Sequence, residues 1–364
     1  MRSSPGPSAL PFASAAFDHG ASSYGAALAH SPFVEAQQPP RRDPASLYLE
    51  LRCPICRTDL RAVHHDSLAQ PASAIACIRC GAVLPQQNRI WLALPPERQA
   101  YYQRFLHDYE LVRKAEGRGS DDAQFYRSLP FRDRTRRNSW QWSIRARTYR
   151  YIERKILPVL RNVACGPLAV LDLGAGNGWL SYQLARLGHC PVAVDLQCNA
   201  FDGLGAAAHY DLVLLKAFPR FQAEFDRLPF ADAQFDCAIF NASFHYSESY
   251  DRTLGEAIRC LRPGGMVIIA DSPYYHREAS GLQMLEERRR TFRKSFGLDS
   301  NHLASCEYLT RDRLLVLEAR HGLHWTHHRV WYGINWACRP LVARLSGKRE
   351  PSKFRIYTAQ VKSP

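Results

Sequence analysis

The hydrophobic pattern of residues 168–270 predicts buried strands that alternate with helices. Each of four short apolar runs has the length and composition of a buried strand. Leucines recur at helical spacing after the first run and stop before Gly188, a residue that favours a helix C-terminus. Strands and helices in this order favour an α/β fold, with a doubly wound, mostly parallel sheet between layers of helices. The four runs lie at residues 170–173, 191–195, 235–240 and 261–270.

The chain on either side of this region has a different pattern. Residues 1–46 are rich in Ser, Ala, Pro and Gly without periodicity, which predicts a disordered tail. Residues 97–160 are predicted to be a helical lid or linker, because large apolar side chains recur on one helix face at positions 101, 105, 109 and 112. Near the C-terminus, Thr310 and Gly322 have the residue types that begin and end a helix.

A glycine-rich turn follows the first predicted strand and marks a candidate ligand site. Gly174, Gly176 and Gly178 let the backbone turn sharply and approach a ligand without obstruction by a Cβ atom. A dinucleotide fingerprint requires Gly-x-Gly-x-x-Gly, whereas the third glycine here comes one position early and Trp179 stands in its place. The Gly-Lys-Ser/Thr end of a phosphate-binding loop is also absent from this turn. On this motif alone, a turn that binds no ligand stays possible.

The sequence Asp-x-Gly-x-Gly-x-Gly resembles motif I of the class I methyltransferases, which bind S-adenosylmethionine. The resemblance spans about residues 165–273 and implies a methyltransferase domain over residues 161–364. It implies seven strands, the last two forming an antiparallel hairpin from residues 324–331 and 354–361. It also implies that Asp172 holds the amino group of the cofactor and that the loop backbone holds its methionine part. The loop residues concerned are Gly174, Ala175, Gly176 and Gly178.

Motifs further along the chain follow the order found in the same family. Asp195 ends the second predicted strand, where a carboxylate can accept hydrogen bonds from both ribose hydroxyl groups. The resemblance places Leu196 under the purine ring and gives Glu224 the adenine amino group. Phe225 would offer its backbone and a ring face to the adenine. Together these residues predict a binding site for S-adenosylmethionine.

Asn241 and His245 follow the fourth predicted strand, where this family places residues that face the departing methyl group. The segment lacks the Pro-Pro pair of amino-group methylation and the cysteine nucleophile of cytosine C5 methylation. Direct displacement remains, in which the enzyme aligns the nucleophile, the methyl group and the sulfonium. His245 could deprotonate the acceptor, or it could be structural. Asn241 would orient the loop or the substrate, and it is also a predicted cofactor-binding residue.

Four cysteines in two Cys-x-x-Cys pairs predict a zinc ribbon over residues 47–96. The spacing matches a closed, tetrahedral structural zinc site with four thiolate ligands. Four unconnected thiols or two disulfides are the alternatives. Disulfides are disfavoured, because the chain has eleven cysteines, an odd number, and its first residues do not match a secretory signal. The pattern resembles the small zinc ribbons of the tRNA-methyltransferase-activator-like family. The ligands are Cys53, Cys56, Cys77 and Cys80.

Charge is distributed unevenly along the chain, which carries a formal net charge of +14. Basic residues exceed acidic ones by 7 in residues 97–160 and by 9 in residues 274–364, whereas acidic residues exceed basic ones by 4 in residues 161–273. Basic flanks favour RNA as a partner. However, the charges are interleaved, and a closed pocket under a lid favours a small-molecule acceptor. A cofactor-binding scaffold without activity is a third hypothesis.

The apolar runs of the chain are too short to predict a membrane span. The first residues also lack the continuous apolar stretch of a secretory signal. We therefore expect a cytoplasmic protein.

Overall fold

The computed structural model describes residues 48–71, 74–297 and 303–362. The disordered tail predicted over residues 1–46 lies outside these ranges. The strands, in chain order, are β1 (Tyr48–Arg52), β2 (Asp59–His64), β3 (Ala74–Ala76), β4 (Val83–Gln87), β5 (Ile90–Leu92), β6 (Ala169–Leu173), β7 (Cys190–Asp195), β8 (Arg220–Gln222), β9 (Phe235–Asn241), β10 (Leu261–Ala270), β11 (Thr326–His328) and β12 (Ile356–Gln360).

The helices surround these strands. They are α1 (His65–Leu68), α2 (Pro96–Ala115), α3 (Ala123–Ser128), α4 (Ser139–Tyr151), α5 (Leu157–Ala164), α6 (Trp179–Arg186), α7 (Ala208–Asp211), α8 (Tyr250–Cys260), α9 (Glu278–Phe296), α10 (Arg311–His321), α11 (Ile334–Ala337) and α12 (Arg339–Leu345). A π-helical turn at Ile152–Ile156 joins α4 to α5. No helix within the described ranges is long and apolar enough to cross a bilayer.

The central sheet contains seven strands of the kind that the resemblance implies. Their order is β11-β12-β10-β9-β6-β7-β8. The five inner strands pair in parallel, and β12 runs antiparallel to both β10 and β11. The doubly wound, mostly parallel fold class is therefore confirmed.

Both faces of this sheet are buried under helices. Along β6, Leu171 and Val170 belong to different apolar clusters, because successive side chains of a strand point to opposite faces. One cluster includes side chains of α8 and α10, and the other includes side chains of α4, α5 and α6. Burial on both faces explains why the parallel strands are nearly continuous apolar runs.

The sequence did not predict that the cysteine-bearing segment joins the central sheet. β5 pairs in parallel with β8, and β4 and β3 follow it, so the sheet has ten strands. β1 and β2 form a separate antiparallel hairpin. The hairpin contacts the loop after β8, where the amide N–H of Arg52 donates to the carbonyl oxygen of Pro229 at 3.0 Å. The segment predicted to be a zinc ribbon is thus packed directly on the central sheet.

Candidate functional site

The glycine-rich loop after β6 has a backbone that requires glycine. Gly174, Gly176 and Gly178 have φ angles of 78°, 54° and 76°, a left-handed region that side chains disfavour. A Cβ atom at Gly174 would lie 2.2 Å from the Cβ atom of Ser243 in the loop after β9. The loops that follow two neighbouring strands therefore approach each other closely at this position.

A cavity opens at the carboxyl ends of β6, β7 and β9, beside this loop. Such an edge is where ligands bind in open α/β sheets. The structure brings eight of the sequence-predicted site residues together on the cavity wall. They are Gly174, Ala175, Gly176, Asp195, Leu196, Glu224, Phe225 and Asn241.

Asp195 is held rigidly at the end of β7. One carboxylate oxygen accepts from the amide N–H of Gly176 at 2.7 Å, and the other accepts from the amide N–H of Gln197 at 2.8 Å. Burial raises the pKa of the Asp195 carboxyl above its ordinary value, although these two N–H groups act in the opposite direction. Each oxygen keeps a free lone pair, so the carboxylate can still accept from a diol in the cavity.

Asp172 and Gly178 do not line the cavity. One Asp172 oxygen accepts from the amide N–H of Ser181 at 3.2 Å and from its hydroxyl at 2.7 Å, inside the first turns of α6. Burial raises the pKa of Asp172 to about 7. Gly178 is the N-cap residue of α6, directly before Trp179. Both residues support the loop from outside the cavity. The contact of Asp172 with the amino group of the cofactor stays a prediction.

Helix α2 covers the cavity, and Arg98 in its first turn binds Glu224. The Arg98 Nε atom donates to the two Glu224 oxygens at 2.9 and 2.7 Å, and its guanidinium also donates to the Tyr102 hydroxyl at 3.0 Å. Burial raises the pKa of Glu224 while Arg98 lowers it, and the net shift is upward. Sequence reasoning missed the Arg98–Glu224 pair. The spacing of Arg98 and Tyr102, four residues apart on one helix face, is a signal that both side chains point the same way.

Residues 97–160 contain α2, α3, α4 and the start of α5, and the face of α2 that lines the cavity is rotated from the predicted one. Phe105 and Tyr109 line the cavity as the periodicity suggests, but Tyr101 is 44% exposed and Val112 packs away from the cavity wall. The α2 residues that face the cavity are Tyr102, Phe105, Leu106, Tyr109 and Arg113.

Two lid arginines on the cavity wall differ in their partners. Arg113 of α2 forms an ion pair with Asp202. Arg145 of α4 lies over the Trp142 ring, and no hydrogen bond or ion pair of its guanidinium is found within the described residues. Burial, together with repulsion from Arg113 and Arg118, lowers the pKa of Arg145 to about 10. Arg145 is still protonated at neutral pH and offers a cation to a ligand.

Asn241 and His245 occupy different environments at the end of β9. Asn241 lines the cavity, and its buried side-chain oxygen has no hydrogen-bond partner among the described residues. The His245 ring lies off the cavity wall, with its Nδ1 atom 3.5 Å from the Ser272 hydroxyl oxygen. Burial lowers the pKa of His245 to about 4, so the ring is neutral and weakly basic at pH 7. Its role as a base stays a prediction.

The four cysteine sulfurs lie within 4.8 Å of one another. The sulfur atoms of Cys53 and Cys80 are 3.6 Å apart, as are those of Cys56 and Cys77. Four thiolates at about 2.3 Å from a zinc ion have sulfur–sulfur distances of about 3.8 Å in a tetrahedron. These distances fit a zinc ion and are far longer than a disulfide bond of about 2.0 Å.

Residues 171–269 match the family model of the methyltransferase domain. The chain has the fold of a class I methyltransferase. The matched range begins within β6 and ends within β10, so it contains the glycine-rich loop, Asp195 and Asn241.

Several curated proteins are similar to part of the chain. A malonyl-[acyl-carrier protein] O-methyltransferase of Buchnera aphidicola is 28% identical over 103 residues, which are 28% of this chain and 39% of that protein. A fatty-acid O-methyltransferase of Mycolicibacterium smegmatis is 30% identical over 36% of this chain and 50% of its own length. A demethylmenaquinone methyltransferase of Thermus thermophilus is 28% identical over 39% of this chain and 64% of its own length. The chain thus spans less than two thirds of each relative.

Among solved structures, the chain is similar to the 1,6-didemethyltoxoflavin-N1-methyltransferase of Burkholderia thailandensis. The sequence identity is 17% and the TM-score is 0.43, over 80% of this chain and 100% of that one.

Proposed function

We propose that this chain is an S-adenosylmethionine-dependent methyltransferase that acts on a small-molecule acceptor. The observation that carries the proposal is the shared cavity wall of the glycine-rich loop, Asp195 and Asn241. When bound, the cofactor supplies a methyl group on a positively charged sulfur. The protein aligns the acceptor atom with that methyl group in a cavity that helix α2 shields from water.

The residues of the cavity fit the parts of this cofactor. The orphaned buried oxygen of Asn241 is an unfilled hydrogen-bond acceptor at the wall, suited to the ammonium group of the methionine part. Asp195 accepts from the ribose hydroxyl groups, and Glu224 and Phe225 receive the adenine as the family resemblance implies. We infer that Arg145, the cavity cation without an acidic partner in the described structure, binds the carboxylate of the methionine part.

A small acceptor suits the lid better than RNA does. Arg113 on the cavity wall is already paired with Asp202, and Arg98 is paired with the cavity-lining Glu224. They therefore offer little free positive charge to a phosphate backbone. The curated relatives named above act, by their names, on a carrier-protein-bound acyl group, a fatty acid or a quinone precursor. These names favour an acyl or quinone-like acceptor.

We also propose that Cys53, Cys56, Cys77 and Cys80 hold a structural zinc ion. The four thiolates complete a tetrahedral ligand shell, and a closed shell leaves no open position for a substrate. The ribbon therefore contributes stability and shape, and takes no part in methyl transfer.

The proposal is tested by binding and by turnover. Calorimetry should detect binding of S-adenosylhomocysteine to the wild-type protein. Asp195→Asn should weaken it about tenfold or more, because two hydroxyl groups lose a charged acceptor. Asp232→Asn, at a carboxyl that is 62% exposed, is the matched control and should bind normally.

Turnover is measured with radiolabelled methyl donor and separate pools of fatty acids, acyl-carrier-protein thioesters, quinols and total RNA. Label in one of the small-molecule pools supports the proposal, and label in RNA alone contradicts the acceptor class. Cofactor binding without any transfer would favour the scaffold hypothesis.

A further inference from the structure

The segment that joins β11 to β12 exposes an apolar helix face to solvent. α11 and α12 meet at Cys338, whose backbone is itself helical. The amide N–H of Cys338 donates to the carbonyl oxygen of Ile334 at 2.9 Å, and that of Val342 donates to the carbonyl oxygen of Cys338 at 3.0 Å. Residues 334–345 therefore form one nearly continuous helical run, which we call the outer helix.

The apolar residues of the outer helix point away from the protein. Ile334, Leu341, Val342 and Leu345 are 69%, 59%, 58% and 79% exposed. Together with the exposed residues 337 and 338, they recur at i, i+3, i+4, i+7, i+8 and i+11, the spacing of a single helix face. Surface helices normally turn such a face towards the core, and here it faces solvent.

The opposite face of the outer helix is anchored to the protein. Trp336 packs against Tyr332 and Phe354, with ring centroids 5.1 Å apart in each pair. The Tyr332 hydroxyl lies 2.8 Å from the Thr148 hydroxyl oxygen on α4, the helix that also carries Arg145 to the cavity. The outer helix is thus held in place on the protein, and it is linked to α4, which lines the cavity, through Tyr332 and Thr148.

The charge of this segment is entirely positive. Residues 329–349 contain five basic residues and no acidic residue. Arg329, Arg344 and Lys348 are exposed. At 100° per residue, Arg344 falls at the edge of the apolar stripe, between it and the face that packs on the protein. Trp331, which is 69% exposed, precedes the outer helix.

We propose that the outer helix docks this protein on the surface of an anionic lipid bilayer. An apolar stripe flanked by Arg and Lys, with an exposed Trp nearby, matches a helix that lies in the membrane interface. The apolar side chains enter the boundary between headgroups and acyl chains, while the cations bind anionic headgroups. The absence of acids from residues 329–349 favours this partner over a second copy of the chain, whose same surface is positive as well. The proposal is independent of the methyl-transfer reaction.

The test is co-sedimentation of the full chain with vesicles. We expect binding to vesicles of phosphatidylcholine with phosphatidylglycerol, weak binding to phosphatidylcholine alone, and release at high salt. Leu345→Ser should lower partition into the anionic vesicles about tenfold, since one leucine no longer leaves water. Arg344→Glu should lower it and reduce its salt dependence.

Matched variants separate the docking surface from general effects. Leu215→Ser removes a fully exposed leucine between α7 and β8, and Arg104→Glu reverses an exposed arginine on α2. Both should bind vesicles as the wild type does, and all four variants should keep their melting temperature. Equal loss in Leu345→Ser and Leu215→Ser would overturn the proposal. Absence of binding to anionic vesicles would also overturn it. In that case, a dimer that depends on Leu345 in sedimentation would assign the surface to a second copy of the chain.

Discussion

The charged residues in and beside the cavity differ in their buried partners and in their pKa values. Arg113 has an acidic partner, whereas Arg145 lines the cavity without an acidic partner among the described residues. Asp195 and Asp172 are both buried carboxyls with raised pKa values, but one faces the cavity and the other faces the core. The same residue type therefore lines the cavity in one place and supports the loop in another.

Arg145→Met should weaken the binding of S-adenosylhomocysteine by about tenfold or more, because a buried carboxylate would lose its charged partner. Binding of 5′-methylthioadenosine, which lacks the methionine carboxylate, should stay the same in this variant. Calorimetry with both ligands makes the comparison. Arg150→Met, at an exposed position on the same helix, is the control. An equal loss for both ligands would mean that Arg145 only supports the fold.

Asp172 should make the protein less stable as the pH rises from about 4 to about 7. Its pKa is raised to about 7 in the folded protein, so in this range the folded state keeps a proton that the unfolded state releases. The free energy of unfolding then falls by at most about 1.4 kcal/mol per pH unit, and becomes level above the folded pKa.

Urea unfolding at several pH values measures this effect. Asp172→Asn cannot titrate and keeps an oxygen for Ser181, so its curve should lack that decline. Asp232→Asn should not remove it, because the pKa of the exposed Asp232 is lowered. Parallel curves for the wild type and Asp172→Asn would contradict the assignment.

At the scale of elements, the β1–β2 hairpin, which carries Cys53 and Cys56, supports the loop after β8 that contains Glu224. The Arg57 guanidinium, in the turn that carries Cys53 and Cys56, donates to Glu256 of α8 at 2.7 Å and to the carbonyl oxygen of Leu228 at 3.3 Å. The loop that begins with Glu224 is therefore held from one side by the ribbon and from the other by Arg98 of α2.

Loss of the proposed zinc ion should consequently weaken cofactor binding, although the four cysteines do not line the cavity. Cys56→Ser should lower the melting temperature by more than about 5 °C and weaken the binding of S-adenosylhomocysteine, because the loop loses a brace. Thermal unfolding, calorimetry and metal analysis measure the three quantities. Cys165→Ser, outside the cluster, should leave all three unchanged. A wild-type protein that contains no zinc would refute the metal assignment.

Local patterns predicted the central elements well. The β6–α6 unit follows from apolar periodicity and glycine positions, whereas the seven strands follow from the resemblance to class I methyltransferases. Helix α10 is capped by Thr310 and Gly322, as their residue types predict. The pairing of β5 with β8 could not be predicted, because three-residue strands far apart in sequence carry little local signal. The Arg98–Glu224 pair was missed because an arginine on a helix usually faces solvent.

At the scale of the whole molecule, the cavity and the outer helix are two separate binding surfaces linked through α4. The cavity lies at the middle strands β9, β6 and β7 and is covered by α2, whereas the outer helix joins β11 to β12 at one end of the sheet. Each surface should therefore respond to its own ligand, although Tyr332 and Thr148 join the outer segment to the lid.

Hydrogen exchange should separate the two responses. S-adenosylhomocysteine should slow exchange in α2 and leave α12 unchanged, because only the lid gains contacts. Anionic vesicles should slow exchange in α12 and leave the inner strands unchanged. Mass spectrometry of peptides from each helix provides the measurement. Protection of α2 but not α12 by vesicles would contradict the separate assignment of the two surfaces.

The parallel pairing of β5 with β8 has a consequence for the fate of damaged molecules. β8 would otherwise be the last strand of the sheet, with free backbone groups along one side. Unprotected strands of this kind recruit other chains into aggregates. Oxidation of the cysteines, or loss of the proposed zinc ion, would loosen the cover of that border, so damage to the cysteine-bearing segment would favour self-association of the chain.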